Sequence, residues 1–280
     1  MRLSQTVTPL ISVLALLAVG SNTGNQQEIR DQKRGKLYTV VSSRAAHDGV
    51  PRIAVAVDQD DAVVLLLVDS GGKISSATVL GQKVHPPPTF ACAGRIPAEQ
   101  VLLQLRSISD IRENWRVWVA VSVGATPSQG DMDAFGPTLT FFYIFKQSSG
   151  SCVETLAKET YASLEQLIIE DINDDGRDYI FAKYNSGGMG YNPWADLWAV
   201  TRSGNIEDVS LKALEAGLTF KGKVDITIYD YQNHHAGLMT EEEIRGASGP
   251  TKIRKTYEWD QSLGQYKMTA KSKSVESPVP

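Results

Sequence analysis

The sequence predicts an all-β protein, built as a small or incomplete β-propeller of about four blade-like units. Short runs rich in Val, Ile, Tyr, Phe and Trp alternate with Gly, Asp, Asn and Ser, a texture typical of strands and turns. Several runs are apolar at successive positions, so both faces of those strands should be covered. The same order of strands and turns recurs four times, and four strands per unit is typical of a propeller blade. A two-sheet β-sandwich built from the same hairpins is the alternative.

The recurring unit consists of a polar turn, a strand, a loop, a second strand, and a Gly-containing turn that leads into a third strand. An earlier strand precedes each unit. The main strands begin near residues 53, 117, 179 and 224, and the hairpin turns fall at 70–72, 148–150, 203–205 and 262–264. In the fourth unit, residues 239–244 (MTEEEI) are predicted as a short helix, because Thr240 can act as its N-cap.

The first twenty residues predict export from the cell. Arg2 supplies positive charge, residues 10–19 form an apolar run, and small residues at 18–20 precede a cleavage site at Ser21. The apolar run is too short for a permanent membrane span, which needs about 20 residues. We therefore expect a secreted or periplasmic protein without a transmembrane segment in its mature chain. The predicted divisions are a signal peptide (1–20), a flexible lead-in (21–36), a repeat domain (37–270) and a disordered tail (271–280).

Charge and cysteine content narrow the class of protein further. The formal net charge is −4, and no basic cluster stands out, so a nucleic-acid partner is rejected. Cys92 and Cys152 are the two cysteines, and an even count in an exported chain favours a disulfide between them. The bond would close a loop of about 60 residues and contribute roughly 4 kcal/mol on the chain-entropy model. Two buried free thiols are the alternative.

An acidic loop in the third unit is the strongest candidate for a metal site. Asp171, Asn173 and Asp175 place three side-chain oxygens on alternate residues, and Gly176 allows the sharp turn that brings them together. The backbone carbonyl of Arg177 can add a further ligand. Oxygen ligands of this kind are those that Ca²⁺ prefers. An ordinary Asn/Asp/Gly turn is the alternative.

This loop and the recurring unit resemble the FG-GAP or VCBS-type repeats of integrin-like β-propellers. The resemblance covers residues 37–269, although only the third unit carries the acidic loop. It implies a structural Ca²⁺ held by Asp171, Asn173, Asp175, Arg177 and Asp178. The chain departs from the family pattern at the ninth position of the loop, where an acidic residue is expected. Tyr179 stands there, and Asp178 comes one place early.

The sequence shows no catalytic constellation. The nucleophile motif G-x-S-x-G and the zinc motif H-E-x-x-H do not occur. Residues 185–194 (NSGGMGYNPW) form a loop that holds Tyr191 and Trp194, and aromatic residues in loops on a rigid scaffold often make binding surfaces. Packing of the tryptophan on the core is the alternative.

These observations predict a secreted, non-enzymatic module, stabilised by calcium, that binds a protein or a glycan through its inter-strand loops. A secreted hydrolase of unrecognised type is the alternative. Acidic side chains clustered in one concave pocket, with raised pKa values, would favour the hydrolase.

Overall fold

The computed structural model describes residues 27–31, 33–44, 52–69, 71–110, 113–125, 138–185, 193–209, 223–231, 235–246, 249–260, 262–263 and 265–275. Within these residues the chain forms seventeen β-strands and one short 3₁₀ turn at Ala93–Arg95. The predicted all-β class is therefore confirmed. No helix of the described part is long and apolar enough to cross a membrane.

The strands form four antiparallel sheets, and each sheet keeps the order of the sequence. The first sheet contains β1 (Gln27–Asp31), β2 (Lys36–Arg44), β3 (Arg52–Asp58), β4 (Ala62–Val68) and β5 (Ile74–Gln82). The second contains β6 (Val101–Asp110), β7 (Trp115–Ala125), β8 (Thr138–Ser148) and β9 (Ser151–Thr160). The third contains β10 (Ser163–Glu170), β11 (Tyr179–Asn185), β12 (Pro193–Val200) and β13 (Ile206–Asp208). The fourth contains β14 (Lys223–Tyr231), β15 (His235–Gly246), β16 (Gly249–Asp260) and β17 (Gln265–Val275). Four separate sheets replace the two sheets of the sandwich alternative.

The four predicted hairpin turns are confirmed, and each joins the last two strands of a sheet. The turns of the first and third sheets share one backbone pattern. The N–H of Asp69 donates to the carbonyl of Lys73, and the N–H of Thr201 donates to the carbonyl of Asn205, both at 2.9 Å. Gly204 has φ +73° in the third-sheet turn, in the left-handed region that favours glycine. Equivalent turns in different sheets support the internal repeat that the sequence predicts.

The sheets pack against one another in chain order. The first and third sheets both contact the face of β7 that carries Val117, Val119, Val121 and Val123. Separate apolar clusters lie between the first and second sheets, the second and third, and the third and fourth. Side chains at these three contacts include Val55 with Val123, Phe142 with Trp198, and Phe181 with Tyr257. Full burial of one such large side chain stabilises the fold by about 1.5–3 kcal/mol. The continuous apolar runs of the sequence thus have their expected place in the interior.

The fourth sheet differs from its prediction in two respects. Residues 239–244 lie inside β15 and not in a helix, so that prediction is wrong. Residues 224–229 belong to the first strand of the sheet, β14, and not to its second. The register places Glu243 opposite both Lys223 and Lys252. Pairing with a strand on each side outweighs the local helix propensity of an acidic run, because propensity is a weak preference that tertiary context overrides.

The sheets also extend beyond the predicted domain boundaries. The strand β1 lies within the predicted lead-in and pairs along its whole length with β2. The strand β17 continues to Val275, inside the predicted tail. Both segments are polar, but an edge strand needs only one neighbour to supply its hydrogen bonds, so low hydrophobicity does not prevent pairing. The predicted signal peptide at 1–20 lies outside the described residues.

The predicted disulfide between Cys92 and Cys152 is confirmed, with 5.5 Å between their Cα atoms. It ties the linker between the first and second sheets, residues 83–100, to β9. Phe90 of this linker packs on the outer face of the second sheet, with its ring centroid 5.0 Å from that of Trp118 and 5.9 Å from that of Phe145. The linker thus forms a covalently fixed cover over part of that face.

Candidate functional site

A cleft of about 420 Å³ opens at the turn end of the second sheet, beside the covered part of its outer face. It is lined by residues 109–110, 114–116 and 147–150, with Thr89 of the linker. These residues come from the ends of β6, β7 and β8 and from the hairpin turn between β8 and β9. The cleft therefore combines three stretches that are distant in the sequence.

Strand alternation divides the lining residues between two faces of the sheet. Ser109, Arg116 and Gln147 are register partners on neighbouring strands, so their side chains share one face. Asp110 and Trp115 are also register partners and lie on the opposite face. Cross-strand partners have Cβ atoms about 4.5–5.5 Å apart, within reach of a single small ligand.

The indole of Trp115 is fixed by the turn of the third sheet. Its Nε1 donates to the backbone carbonyl of Arg202 at 2.9 Å. Its ring lies against Gly204, where an added Cβ would approach Trp115 Cδ2 to 2.6 Å. Glycine is therefore required at this position both for its φ and for space. This contact sets one wall of the cleft and joins it to the neighbouring sheet.

The amide of Gln147 is oriented by the linker and by the sheet. Its Oε1 accepts hydrogen bonds from Trp118 Nε1 at 2.8 Å and from the N–H of Ala91 at 3.4 Å. Since both contacts require an acceptor, the network assigns the oxygen to this side of the amide and the nitrogen to the other. The nitrogen has no hydrogen-bond acceptor in the described part of the chain. Its two N–H donors remain available at the cleft.

The guanidinium of Arg116 lies over the ring of Trp118, with 5.3 Å between its Cζ and the ring centroid. This contact is a cation–π interaction, worth about 0.5–2 kcal/mol depending on exposure. Arg116 is half-buried. Within the described residues it makes no ion pair and no hydrogen bond, so its N–H donors are unmatched.

The predicted metal loop differs from the cleft, because its carboxylates already accept hydrogen bonds from other groups of the protein. The two oxygens of Asp171 accept the N–H groups of Asp175 at 3.1 Å and Gly176 at 2.8 Å. Asp175 Oδ2 accepts from Arg177 Nη2 at 2.8 Å and Nε at 3.1 Å, and from the Tyr179 hydroxyl at 2.7 Å. The Arg177 guanidinium thus lies where these carboxylate lone pairs point.

Asn173, a third predicted ligand, is fully buried between the third and fourth sheets. Its Oδ1 accepts a hydrogen bond from the hydroxyl of Tyr266 at 2.8 Å. Tyr266 packs edge-on against Trp259, which also contacts the ring of Tyr179. The loop therefore joins two sheets through Asn173.

Two carboxyl groups of this loop, those of Asp175 and Asp178, have pKa values shifted in opposite directions. Burial alone would raise the pKa of Asp175, but hydrogen bonds from Arg177 and Tyr179 outweigh it and hold the pKa below its ordinary value. Burial, with the hydrogen bond to Asp175, raises the pKa of Tyr179 to about 12. The pKa of Asp178 is raised by burial and by the nearby negative charge of Asp171. Asp171 and Asp178 are therefore the pair of acids that a cation would relieve.

The predicted set of five calcium ligands does not fit a cation in this arrangement. Asn173 and Asp175 already accept internal hydrogen bonds, and Arg177 brings a positive charge to the loop. No group of three or more His, Cys, Asp or Glu side chains in the described part of the chain could hold a metal ion. Calcium binding at Asp171–Asp178 stays a prediction, and it requires the pairing of Asp175 with Arg177 to be rearranged.

The predicted binding loop lies largely outside the described residues. Tyr191 is one of the residues that the structure does not describe. Trp194 stands in β12, opposite Tyr184 in the register, and its side chain is not described. No recognised sequence motif marks the cleft of the second sheet. The signal that could have found it is the run Asn114-Trp115-Arg116-Val117-Trp118, which places an arginine next to a tryptophan on the same face of a strand.

One half-buried carboxyl group, that of Asp196, lies apart from the cleft, between the second and third sheets. Lys158 Nζ hydrogen-bonds to Asp196 Oδ2 and lies 5.5 Å from the ring centroid of Tyr184. Burial raises the pKa of Asp196 although Lys158 opposes this shift. Asp196 is thus a carboxyl group with an increased tendency to hold its proton.

Comparison with known proteins gives a distant likeness in fold. No protein-family model matches the sequence, and no curated protein matches it. Among similar solved structures, an α-L-arabinanase from Penicillium chrysogenum in complex with arabinobiose has 10% identity and a TM-score of 0.31, with coverage of 86% of this chain. This chain spans 61% of the arabinanase.

Two further structures show a likeness that is equally low or lower. A mutant levansucrase from B. megaterium has 10% identity and a TM-score of 0.31, covering 91% of this chain and 69% of its own. An α-L-arabinofuranosidase from Fusarium graminearum, in complex with an iminosugar inhibitor, has 8% identity and a TM-score of 0.26, covering 89% of this chain and 75% of its own.

These comparisons contradict the prediction that the protein is not an enzyme, because all three structures are named as enzymes. The prediction relied on the lack of a recognised motif. An active site assembled from residues distant in the sequence leaves no such motif, so the inference was unsound. With TM-scores below 0.5, the likeness assigns neither an activity nor a site to this chain.

Proposed function

We propose that this protein binds a carbohydrate in the cleft at the turn end of the second sheet. The observation that carries the proposal is a pair of unmatched polar side chains in a cleft whose lining includes the aromatic ring of Trp115. Arg116 and the Gln147 amide nitrogen offer N–H donors, and Trp118 lies beneath the guanidinium. Sugar hydroxyls both donate and accept hydrogen bonds, so they can satisfy planar polar side chains of this type.

The volume and the polar lining of the cleft favour a small ligand over a protein partner. Its volume of about 420 Å³ lies within the usual range of small-molecule sites, about 300–1,000 Å³. A stable protein–protein interface buries about 800 Å² on each partner and is centred on exposed apolar residues. The lining residues are mostly polar. A glycan is therefore the better supported of the two predicted partners.

The ligand is proposed to lie outside the cytoplasm. The disulfide between Cys92 and Cys152 supports an oxidising compartment, because such bonds form and persist in secreted and periplasmic proteins. The signal-peptide pattern of residues 1–20 is the second line of support. N-terminal sequencing of protein recovered from its native host should begin near Ser21. An intact Met1 would contradict export.

We further propose that the four sheets are the blades of a small propeller, closed by contact of the fourth sheet with the first. Tyr38, Ala54 and Leu66 lie on the outer face of the first sheet and are 0–2% exposed. Their described apolar neighbours all belong to the same sheet. Large side chains on one face of a sheet lose contact with water only under a second layer, and the fourth sheet is the candidate. The resemblance to FG-GAP or VCBS-type repeats stays a prediction.

Small-angle X-ray scattering tests this closure. A closed, compact chain of this length has a radius of gyration of about 19 Å. A value well above this would indicate an open stack of sheets.

Hydrolysis of a glycan is the second candidate function, and the observation in its favour is Asp196. A general acid must hold a proton near neutral pH, and burial moves the pKa of Asp196 in that direction. Glycoside hydrolysis by the usual route also needs a second carboxyl group about 5–9.5 Å away. Asp208, whose negative charge also raises the pKa of Asp196, is the carboxyl group near it, whereas Asp110, the one carboxylate of the cleft lining, lies elsewhere.

Both candidates are tested by one set of oligosaccharides. Isothermal titration should detect binding of at least one saccharide, and Trp115→Ala together with Gln147→Ala should weaken it, since these changes remove a wall and a donor of the cleft. Release of reducing ends from the same sugars, lost in Asp196→Asn, would establish hydrolysis. If no saccharide binds to the intact protein, the carbohydrate proposal is wrong.

A further inference from the structure

We propose that the ligand of the cleft carries an oxyanion, as in a uronic acid residue, and that Arg116 and Gln147 bind it. This inference rests on the proposed carbohydrate function and specifies its ligand class. The inference rests on two donor groups that lie side by side on neighbouring strands. Neither the guanidinium of Arg116 nor the amide nitrogen of Gln147 has a hydrogen-bond acceptor in the described part of the chain.

The guanidinium of Arg116 is positioned for a planar anion. It is half-buried, and its Cζ lies 5.3 Å from the centroid of the Trp118 ring, a contact that holds the side chain on this face of the sheet. Arginine presents its N–H groups in a fork that matches the two oxygens of a carboxylate, and such bonds are about twice as strong as neutral ones. A half-buried cation without a counter-ion is unfavourable unless a ligand or water meets its donors.

Gln147 extends this donor surface. The two hydrogen bonds to its Oε1, from Trp118 and Ala91, leave the amide nitrogen on the other side. Ser109 lies on the other side of Arg116 in the register and contributes a hydroxyl to the same face. Donors therefore surround the guanidinium on this face of the sheet.

The nearest acid of the cleft does not share that face. Asp110 follows Ser109 on β6, and successive side chains of a strand point to opposite faces. Its register partner is Trp115, on the side of the third sheet. The structure contains no ion pair between Asp110 and Arg116, so the guanidinium is open to an external anion. The cleft thus offers an anion subsite on one face and an acid on the other, as an acidic sugar with free hydroxyls would need.

The test compares two forms of one saccharide. Oligogalacturonate and its methyl-esterified form have the same skeleton, but only the first carries carboxylates. Titration into the intact, disulfide-bonded protein should show at least tenfold tighter binding of the acid form. In Arg116→Gln, affinity for the acid form should fall to that of the ester. Arg106→Gln is the matched control, because Arg106 is an exposed arginine of the same sheet outside the cleft.

Each outcome separates the two proposals. Equal binding of acid and ester by wild type, unchanged in Arg116→Gln, overturns the oxyanion inference and leaves carbohydrate binding in place. Binding of inorganic sulfate and free glucuronate as tight as that of the oligomer would support an anion subsite and contradict recognition of the sugar chain. If none of these probes binds, both proposals are wrong.

Discussion

Two arginines of this protein lie over aromatic rings with nearly the same geometry, but the protein neutralises only one of them. Arg177 is 5.4 Å from the centroid of Tyr179, and Arg116 is 5.3 Å from that of Trp118. Arg177 also donates to Asp175 through two nitrogens, whereas Arg116 has no carboxylate partner in the described residues. In the acidic loop the charge of Asp175 is therefore paired within the protein, and in the cleft a donor surface is left for a ligand.

The contrast separates a conspicuous sequence motif from an available site. The run of acids at 171–178 is the most distinctive local pattern, yet its oxygens serve the fold by bonding the loop to itself and to the fourth sheet. The cleft carries no motif. Its donors are available because the linker over the second sheet passes beside them at Thr89 without supplying an acceptor.

The largest expected effect comes from the disulfide, which fixes the linker beside the cleft but makes no contact with the acidic loop. Replacing Cys92 and Cys152 together by Ser should lower the free energy of unfolding by about 2–5 kcal/mol, since the unfolded chain gains conformational freedom. Urea denaturation measures this loss. A variant as stable as wild type would mean that the linker is held by packing of Phe90 alone.

A smaller effect is expected from Arg177→Gln. This change leaves the Asp175 carboxylate without its charged donor in a partly buried position, so stability should fall by about 1–3 kcal/mol. Arg116→Gln is the matched control. It loses the contact with Trp118, and apart from that loss its free energy of unfolding should change by less than about 0.5 kcal/mol. Equal losses in both variants, measured by urea denaturation, would refute the distinction between the two arginines.

The pH dependence of stability should follow Asp175. Its folded pKa lies below the ordinary value, so its contribution is present above the unfolded pKa, about 3.9, and is lost as pH falls through the folded pKa. Wild type should therefore lose more stability below about pH 4 than Asp175→Asn does. Parallel curves of unfolding free energy against pH for the two proteins would show that Asp175 does not contribute in this way.

The smallest effect is expected from calcium. In wild type, Ca²⁺ must compete with Arg177 for the loop, so millimolar Ca²⁺ should stabilise it only slightly, about 0.4 kcal/mol when its concentration equals Kd. Arg177→Gln removes the competing charge and frees Asp175, and its stabilisation by Ca²⁺ should be larger. Asp171→Ala should abolish the effect. Thermal melting with Ca²⁺ or chelator decides this, and a strong response in wild type would mean that the loop is a calcium site already.

The sequence predicted the parts of the fold that depend on local pattern. Apolar runs such as 117–123 identified central strands, and turns such as 203–205 identified hairpins, because these features are set by neighbouring residues. The order of the fourth sheet was missed, since the acidic run at 239–244 favours a helix in isolation and becomes a strand only through its two neighbours.

The candidate site could not be predicted from any local sequence pattern. Arg116 and Gln147 are brought together by the pairing of β7 with β8, and Thr89 reaches them through a linker held by a disulfide. The sequence does show the disulfide, but not which face the linker covers. A donor is available to a ligand when no neighbouring residue offers it an acceptor. The tertiary structure determines which residues are its neighbours.

The most direct test of the contrast between the two arginines is the shift in melting temperature that oligogalacturonate produces in wild type, Arg116→Gln and Arg177→Gln. A ligand that binds only the folded state raises the melting temperature in proportion to its occupancy. We predict that the shift falls in Arg116→Gln to the smaller value that the methyl ester gives, and that it is unchanged in Arg177→Gln, although Arg177→Gln melts at a lower temperature throughout. An unreduced shift in Arg116→Gln, or a reduced shift in Arg177→Gln, would contradict the assignment of the cleft as the ligand site.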